Sequence, residues 1–252
     1  MPEGVLVGWA LLALVVLAVI GFLLRPTYPN YDSYYALLWG QEALHLELPS
    51  FGAYRAPTEH PLAVAFGAVL SLTGDGADRL LVLASLFSFV ALVAGTYRLA
   101  RICFTPFVGV IAAFLVLTRF DFPFLAVRGY VDISFMAVVV WAGALEAARP
   151  RRGTLVFGLL AAAGLLRPEA WLVAGAYFLW MSWRATWGER LRYALLTAIA
   201  PVLWAATDYV VTGDPLFSLN STQDLAAELS RSKSGSVVLT VLPDFLRETV
   251  KT

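Results

Sequence analysis

The stretch VLVGWALLALVVLAVIGFLL, residues 5–24, decides the structural class of this chain. It carries no charged or strongly polar side chain, and about 20 such residues in a helix cross the roughly 30 Å hydrocarbon core of a bilayer. No basic segment precedes it, and it is longer than the apolar core of a secretory signal peptide. We therefore expect a retained membrane-spanning helix.

The composition of the whole chain agrees with this expectation. Of its 252 residues 60% are hydrophobic and 14% are charged, and the mean hydropathy is +0.74, whereas soluble domains carry about 25% charged residues. The composition predicts an integral membrane protein in contact with membrane lipid. The formal net charge is zero, which gives no indication of nucleic-acid binding. Cys103 is the single cysteine, which excludes a disulfide framework and a cysteine metal site.

Further apolar runs predict an all-α, polytopic transmembrane helix bundle with about seven spans. Spans are expected over residues 79–101, 107–124, 133–148 and 193–211, and the short runs 154–166 and 170–183 are expected to form a hairpin. We expect one transmembrane module: span one at 5–24, an outer loop at 25–77, further spans within 78–211, and an outer polar tail at 212–252. Residues 32–48 and 61–72 predict interfacial helices inside the outer loop.

Basic residues near the span ends predict the orientation. They form three clusters: Arg98 with Arg101, Arg149 with Arg151 and Arg152, and Arg184 with Arg190 and Arg192. If all three clusters are cytoplasmic, most of the other ionisable side chains share the outer face of a multi-pass plasma-membrane protein. Ionisable groups at membrane depth are costly and commonly mark a functional site.

The outer loop contains the first candidate residues. Asp32 begins a predicted helix, where it is either a catalytic acid or the helix N-cap, a position that favours Asp. Glu59 and His60 precede Pro61 and could contact a metal or a polar substrate, or be a solvated loop pair. Arg55 is a further candidate for substrate binding.

Two later stretches contain the remaining candidates. The stretch RFDFPFLAVRGYVD, residues 119–132, carries Arg119, Asp121, Arg128 and Asp132, and paired Arg and Asp there could form a structural ion pair or an anion site with an acid beside it. In the turn at residues 167–169, Arg167 could hold a lipid phosphate beside Glu169, or the turn could simply be solvated. The chain has no phosphate-binding loop, dinucleotide fingerprint, HExxH or GxSxG motif.

The order of these features resembles the GT-C superfamily of polytopic membrane glycosyltransferases. The resemblance rests on Asp32 after the first span, Glu59-His60-Pro61, Asp132, GLLRPEAWLVA (164–174) and TGDPLFSLNSTQ (212–223), and it covers roughly residues 5–225. Relatives in that superfamily include protein O-mannosyltransferases and the aminoarabinose transferase of lipid A. Because its members usually have more spans, the chain resembles their N-terminal module, and we expect it to be truncated.

The resemblance implies an inverting hexosyl- or pentosyltransferase that acts at the outer face. The donor would be a polyprenyl-phosphate sugar and the acceptor a lipid, a glycan or a protein. Asp32 would be the catalytic base, Asp132 would bind substrate, and Arg167 would lie near the lipid phosphate. Ser33 stands where many members carry a second acid, so the involvement of a divalent cation stays open; no other cofactor and no protein metal site are implied.

Two other readings remain. A transporter or flippase of lipid-linked substrates would also place Arg and Asp at membrane depth, but its polar groups should open alternately to both faces. A truncated, non-catalytic GT-C remnant would keep the same motifs without turnover.

Overall fold

The computed structural model describes residues 3–228, and every regular element in that range is helical. A single 3-10 turn, Gly74–Gly76, precedes the fourth helix. The helices are α1 (Glu3–Leu24), α2 (Tyr31–Leu44), α3 (Pro61–Ser71), α4 (Ala77–Cys103), α5 (Pro106–Thr118), α6 (Asp121–Val127), α7 (Val131–Ala148), α8 (Thr154–Leu166), α9 (Ala170–Ser182), α10 (Trp187–Thr212) and α11 (Phe217–Glu228).

Four helical segments within the described range are long and apolar enough to cross a membrane: Gly4–Leu24, Gly74–Cys103, Val131–Ala148 and Trp187–Thr212. The pair α5 and α6 bends by 58° and could form a fifth span or a re-entrant loop. Helices α8 and α9 have 13 residues each, about 20 Å at about 1.5 Å per residue, which is short of the hydrocarbon core. The all-helical membrane class is thus confirmed, whereas the count of seven spans is not.

Helix α4 forms the centre of the bundle. Its buried side chains Val82, Leu86 and Phe89 belong to one apolar cluster with Ile133 and Ala137 of α7. Helices α5 and α6 pack against the same cluster, and α1 contributes only the partly buried Leu14 and Phe22. The close packing of α4 with α7 fixes the position of the first turn of α7, which carries Asp132.

Helices α2 and α3 pack so closely that their backbones touch at two glycines. A Cβ atom on Gly40 would lie 2.2 Å from the Ala68 nitrogen, and one on Gly67 would lie 2.3 Å from the Ala36 oxygen. Because only glycine lacks this atom, both positions require it. The loop between α1 and α4 therefore folds into a helical pair rather than an open coil.

Two hydrogen bonds fix the start of α2 against the turn between α6 and α7, and a third caps the helix itself. The Asn30 side chain is the N-cap and accepts a hydrogen bond from the Ser33 nitrogen at 2.8 Å. The Asn30 nitrogen donates to the Arg128 oxygen at 2.7 Å, and the Ser33 hydroxyl donates to the Gly129 oxygen at 2.7 Å. These bonds hold the first turn of α2, with Asp32, beside the first turn of α7.

The predicted short helix of the loop is observed as α3, and part of the predicted tail forms α11. Pro61 is the first residue of α3, where its missing N–H costs little. Phe217 of α11 packs against the buried cluster of Trp39 and Phe51, so the first part of the tail folds back onto the α2–α3 pair. The rest of the predicted tail, residues 229–252, lies outside the described residues.

We predict that Gly40→Ala destabilises the protein, because the new methyl group would overlap backbone atoms of α3. Overpacking of this kind costs about 1–3 kcal/mol, so the midpoint of thermal unfolding in detergent should fall. Gly175→Ala is the control: no atom lies within 4 Å of its Cβ position in α9, and alanine is the better helix former. An unchanged midpoint for Gly40→Ala would contradict the close α2–α3 contact.

Candidate active site

The candidate site is built around Arg167, the residue that ends α8. Its guanidinium Nη1 donates a hydrogen bond to Oδ1 of Asp132 in the first turn of α7. The same guanidinium contacts Glu169, with Nη2 at 3.0 Å from Oε1 and Nε at 3.4 Å from Oε2. The side chains of Asp132 and Arg167 are only 28% and 32% exposed. Arg167 is therefore a half-buried cation held between two carboxylates.

Asp32 lies beside this ion pair. It is the second residue of α2, and because Asn30 is the N-cap, the interpretation of Asp32 as the cap is wrong. Although its side chain reaches solvent, the surrounding protein raises the pKa of its carboxyl by burial, and Asp132 raises it further, while Arg167 opposes the shift. Asp32 is thus free of a capping role and lies within the electrostatic field of both predicted partners.

His60 joins the same cluster from the start of α3. Burial and the positive charge of Arg167 lower the pKa of His60 to about 4, against the opposing pull of Asp132 and Glu169. The imidazole is therefore neutral near pH 7. Its Nδ1 is buried without a hydrogen-bond partner, and its ring meets Trp204 edge-on at 5.9 Å. Through Nδ1, a neutral imidazole in this position can donate one hydrogen bond to a substrate or accept one from it.

Glu59 turns away from Arg167 and towards Asp208 of α10. It is 2% exposed, and no hydrogen-bond donor in the described part of the chain reaches either of its oxygens. Burial first, and the neighbouring Asp208 second, raise the pKa of Glu59 to about 9. Two neighbouring carboxyls repel each other unless one is protonated, so we assign a proton to Glu59. Asp208 accepts from the Ser218 nitrogen at 2.9 Å and the Ser218 hydroxyl at 2.7 Å.

The other predicted basic residues lie elsewhere. The guanidinium of Arg128 lies over the Tyr28 ring at 4.1 Å, and that of Arg55 lies over the Tyr54 ring at 5.2 Å. Arg119 forms an exposed pair with Asp121. The stretch 119–132 therefore does not converge on one anion site, and substrate binding by Arg128 and Arg55 stays a prediction.

Two cavities flank the cluster. The first, which we call the tryptophan cavity, has a volume of about 370 Å³ and is lined by residues including His60, Arg167, Glu169, Trp171, Trp204 and Asp208. The second, which we call the serine cavity, has a volume of about 320 Å³, and its polar lining consists of Ser33, Ser85, Ser88, Ser134 and Tyr130. Cavities of about 300–1,000 Å³ are typical of small-molecule sites. His60 and Arg167 line the tryptophan cavity, and the chain neighbours of Asp32, Asp132 and Arg167 line the serine cavity.

The sequence pattern had not pointed to Asp208, Trp171 or Trp204. A signal for Asp208 was available, because it is a lone acid within the apolar run 193–211, and such residues in a span commonly have a function. The two tryptophans carried no such signal. Their rings meet edge-on at 5.6 Å only because α9 and α10 pack side by side.

A divalent cation near Asp32 would need several acidic or histidine side chains as ligands. Residues 3–228 contain no group of three or more His, Cys, Asp or Glu side chains that could hold a metal ion. Asp132 is committed to Arg167, and Ser33 donates its hydroxyl proton to the Gly129 oxygen. The described side chains around Asp32 therefore do not form a binding site for a metal ion.

Comparisons of the chain with protein-family models, curated proteins and solved structures found no match. The resemblance to GT-C enzymes stays a prediction from the order of the motifs. Function has to be argued from the geometry of the site.

We predict that Glu59→Gln stabilises the protein, and more so as the pH rises. Since Glu59 releases its proton near pH 4.5 when unfolded and near pH 9 when folded, the native state loses stability across that interval, by up to about 1.4 kcal/mol per pH unit. Glutamine keeps the shape and a donor for Asp208 without this penalty. The difference in unfolding midpoint between variant and parent should widen from pH 5 to pH 9; a constant difference would contradict the buried, protonated carboxyl.

Proposed function

We propose that this protein is a membrane glycosyltransferase that transfers a sugar from a polyprenyl-phosphate donor to an acceptor hydroxyl. One observation carries the proposal: Asp32, which has no capping role, lies in the electrostatic field of the Asp132–Arg167 ion pair, and Arg167 lines the tryptophan cavity. The chain neighbours of all three residues line the serine cavity, and two cavities suit a reaction that joins two substrates. The ordered motifs that resemble GT-C enzymes support the same reaction.

In the proposed reaction Asp32 is the general base. Its carboxylate takes the proton of the acceptor hydroxyl while the acceptor oxygen attacks the anomeric carbon of the sugar. The bond between that carbon and the phosphate oxygen breaks, and its electron pair leaves with the phosphate. A direct displacement of this kind inverts the anomeric centre. A raised pKa makes the Asp32 carboxylate a stronger base than an ordinary aspartate.

Arg167 is the proposed phosphate ligand, and its two carboxylate partners define how it can act. A guanidinium binds phosphate oxygens through paired hydrogen bonds, so one carboxylate has to give way. Glu169 is 55% exposed, compared with 28% for Asp132, and is therefore the partner that a phosphate displaces. Asp132 keeps Arg167 in place during the exchange.

The proposal includes a plasma-membrane location, an active site at the outer face, and seven crossings with α8 and α9 as two short ones. The two ends of the bundle support this orientation. The cluster of Asp32, Asp132 and Arg167 occupies one end. Arginines stack on aromatic rings near the opposite ends of the helices, in the pairs Arg98–Trp141, Arg151–Trp180 and Arg190–Trp187, and basic residues favour the cytoplasmic side.

The placement of the polar groups also bears on the two alternatives. A transporter of lipid-linked substrates needs polar groups that open to both faces in turn. The cluster and its two cavities gather at one end, which supports the enzyme. A non-catalytic remnant would bind both substrates without turnover.

We predict that Asp32→Asn lowers the rate of sugar transfer by about 10²–10⁴-fold, because it removes the base. The assay uses the full chain in proteoliposomes with a panel of radiolabelled polyprenyl-phosphate sugars and host membrane lipids or glycans as acceptors. Asp121→Asn, which alters an exposed pair away from the site, should keep the parent rate. Near-parent turnover by Asp32→Asn would refute its role, and no turnover by the parent with any donor would favour the remnant.

We predict that Glu169→Gln lowers the KM for the donor with little change in kcat, because Arg167 then has one competitor fewer for the phosphate. Arg167→Gln should raise the same KM, since the only phosphate ligand of the proposal is lost. Steady-state kinetics with the active donor measure both effects. An unchanged donor KM in both variants would place the phosphate elsewhere.

A further inference from the structure

One wall of the serine cavity carries a buried hydroxyl group without a hydrogen-bond partner. Ser85 of α4 is 4% exposed, its Oγ has no hydrogen-bond partner, and it lines the cavity. A buried polar group without a partner costs about 1–3 kcal/mol. Such a group at a cavity wall indicates a ligand or a water that completes it.

The other three serine hydroxyls of the cavity already donate their protons within the protein. Ser33 donates to the Gly129 oxygen at 2.7 Å, Ser134 donates to the Ser88 oxygen at 2.9 Å, and Ser88 donates to the Ala84 oxygen at 3.0 Å. A hydroxyl has one proton and two lone pairs, so these three groups can only accept from a ligand. The serine edge of the cavity therefore suits a molecule that donates hydrogen bonds.

The rest of the lining excludes an anion and favours an apolar surface. All side chains that line the cavity are uncharged, so a buried phosphate would lack a counter-charge, which is costly. Much of the remaining lining is apolar and includes Leu62, Leu81 and Phe66. Phe66 is 42% exposed, so the cavity reaches the surface of the bundle beside α3.

The position of the cavity connects it to the candidate site. Ser33, Val131 and Leu166 line it, and they are the immediate chain neighbours of Asp32, Asp132 and Arg167. Those three charged residues are the centre of the site. A molecule in the cavity could thus present one of its hydroxyls to Asp32.

We propose that the serine cavity binds an uncharged, hydroxyl-bearing amphiphile, and that this molecule is the acceptor of the transfer reaction. Binding of this molecule is inferred from the cavity alone, whereas its role as the acceptor rests on the proposed function. The lining of the cavity narrows the acceptor to a lipid-like alcohol or glycolipid, as opposed to a polypeptide. The anionic donor is left to the tryptophan cavity, where Arg167 lies.

The test measures binding of tritiated octyl glucoside, below its micellar concentration, to the full chain in nanodiscs. Saturable binding is expected for the parent, and octyl phosphate should not compete. Ser85→Ala should weaken octyl glucoside binding about five- to tenfold, as expected for one lost hydrogen bond. The same change should leave the unfolding midpoint of the ligand-free protein unchanged or higher, because it removes an unpaired buried hydroxyl.

Ser88→Ala is the comparison for stability, since it removes a hydroxyl that accepts from Ser134 across the α4–α7 contact and should lower the unfolding midpoint, in contrast to Ser85→Ala. Unchanged octyl glucoside affinity in Ser85→Ala, or equal competition by octyl phosphate, would overturn the proposal. A lower midpoint in Ser85→Ala would also overturn it, because the hydroxyl would then serve helix packing. Octyl glucoside binding by a parent protein that transfers no sugar counts against the proposed function alone.

Discussion

The ion pair between Arg167 and Asp132 is the interaction on which the candidate site depends. It joins the turn after α8 to the first turn of α7, two segments separated by 35 positions in the chain. Both side chains are about two-thirds buried, so the loss of Asp132 would leave Glu169, which is more exposed, as the remaining carboxylate partner of Arg167 within the described residues. The pair therefore holds its two helices in register and sets the field felt by Asp32 and His60.

The protonation states of His60 and Glu59 show how far the influence of the ion pair extends. His60 stays neutral because it is buried beside the Arg167 cation, so the cluster has one positive centre. Glu59, one residue away in the chain, is protonated because it is buried against another acid and not against Arg167. Adjacent residues in the sequence thus have opposite electrostatic surroundings, and only His60 belongs to the cluster.

Local sequence features predicted local structure well. Long apolar runs predicted α1, α4, α7 and α10, and Pro61 predicted the start of α3. The identity of the cap was wrong because both Asn30 and Asp32 are good capping residues, and the choice is made by a bond from Asn30 to the distant Arg128 oxygen. The runs 154–166 and 170–183 also predicted α8 and α9, but the seven-span count is not confirmed, because helices of 13 residues are short of the hydrocarbon core.

Contacts between distant segments were beyond the reach of the pattern. The glycine contact of Gly40 with α3 and the carboxyl contact of Glu59 with Asp208 depend on how whole helices pack. The pairing of Arg167 with Asp132 is of the same kind: the motif order suggested that the two residues share a face, but only the packing of α7 against α8 brings them into contact. This packing gives Arg167 two carboxylate partners, so that it is not a free cation. The sequence alone did not predict this pairing.

The most direct test of this account is a double-mutant cycle on the ion pair, with Asp132→Asn, Arg167→Gln and the double variant compared by unfolding midpoint and by sugar transfer. We expect the double variant to be clearly less destabilised than the sum of the two single variants, with a coupling of about 0.5–3 kcal/mol, and all three variants to transfer sugar more slowly than the parent at donor concentrations below the KM of the parent. Additive effects on stability, or parent-level transfer in the double variant, would contradict the central place given to this pair.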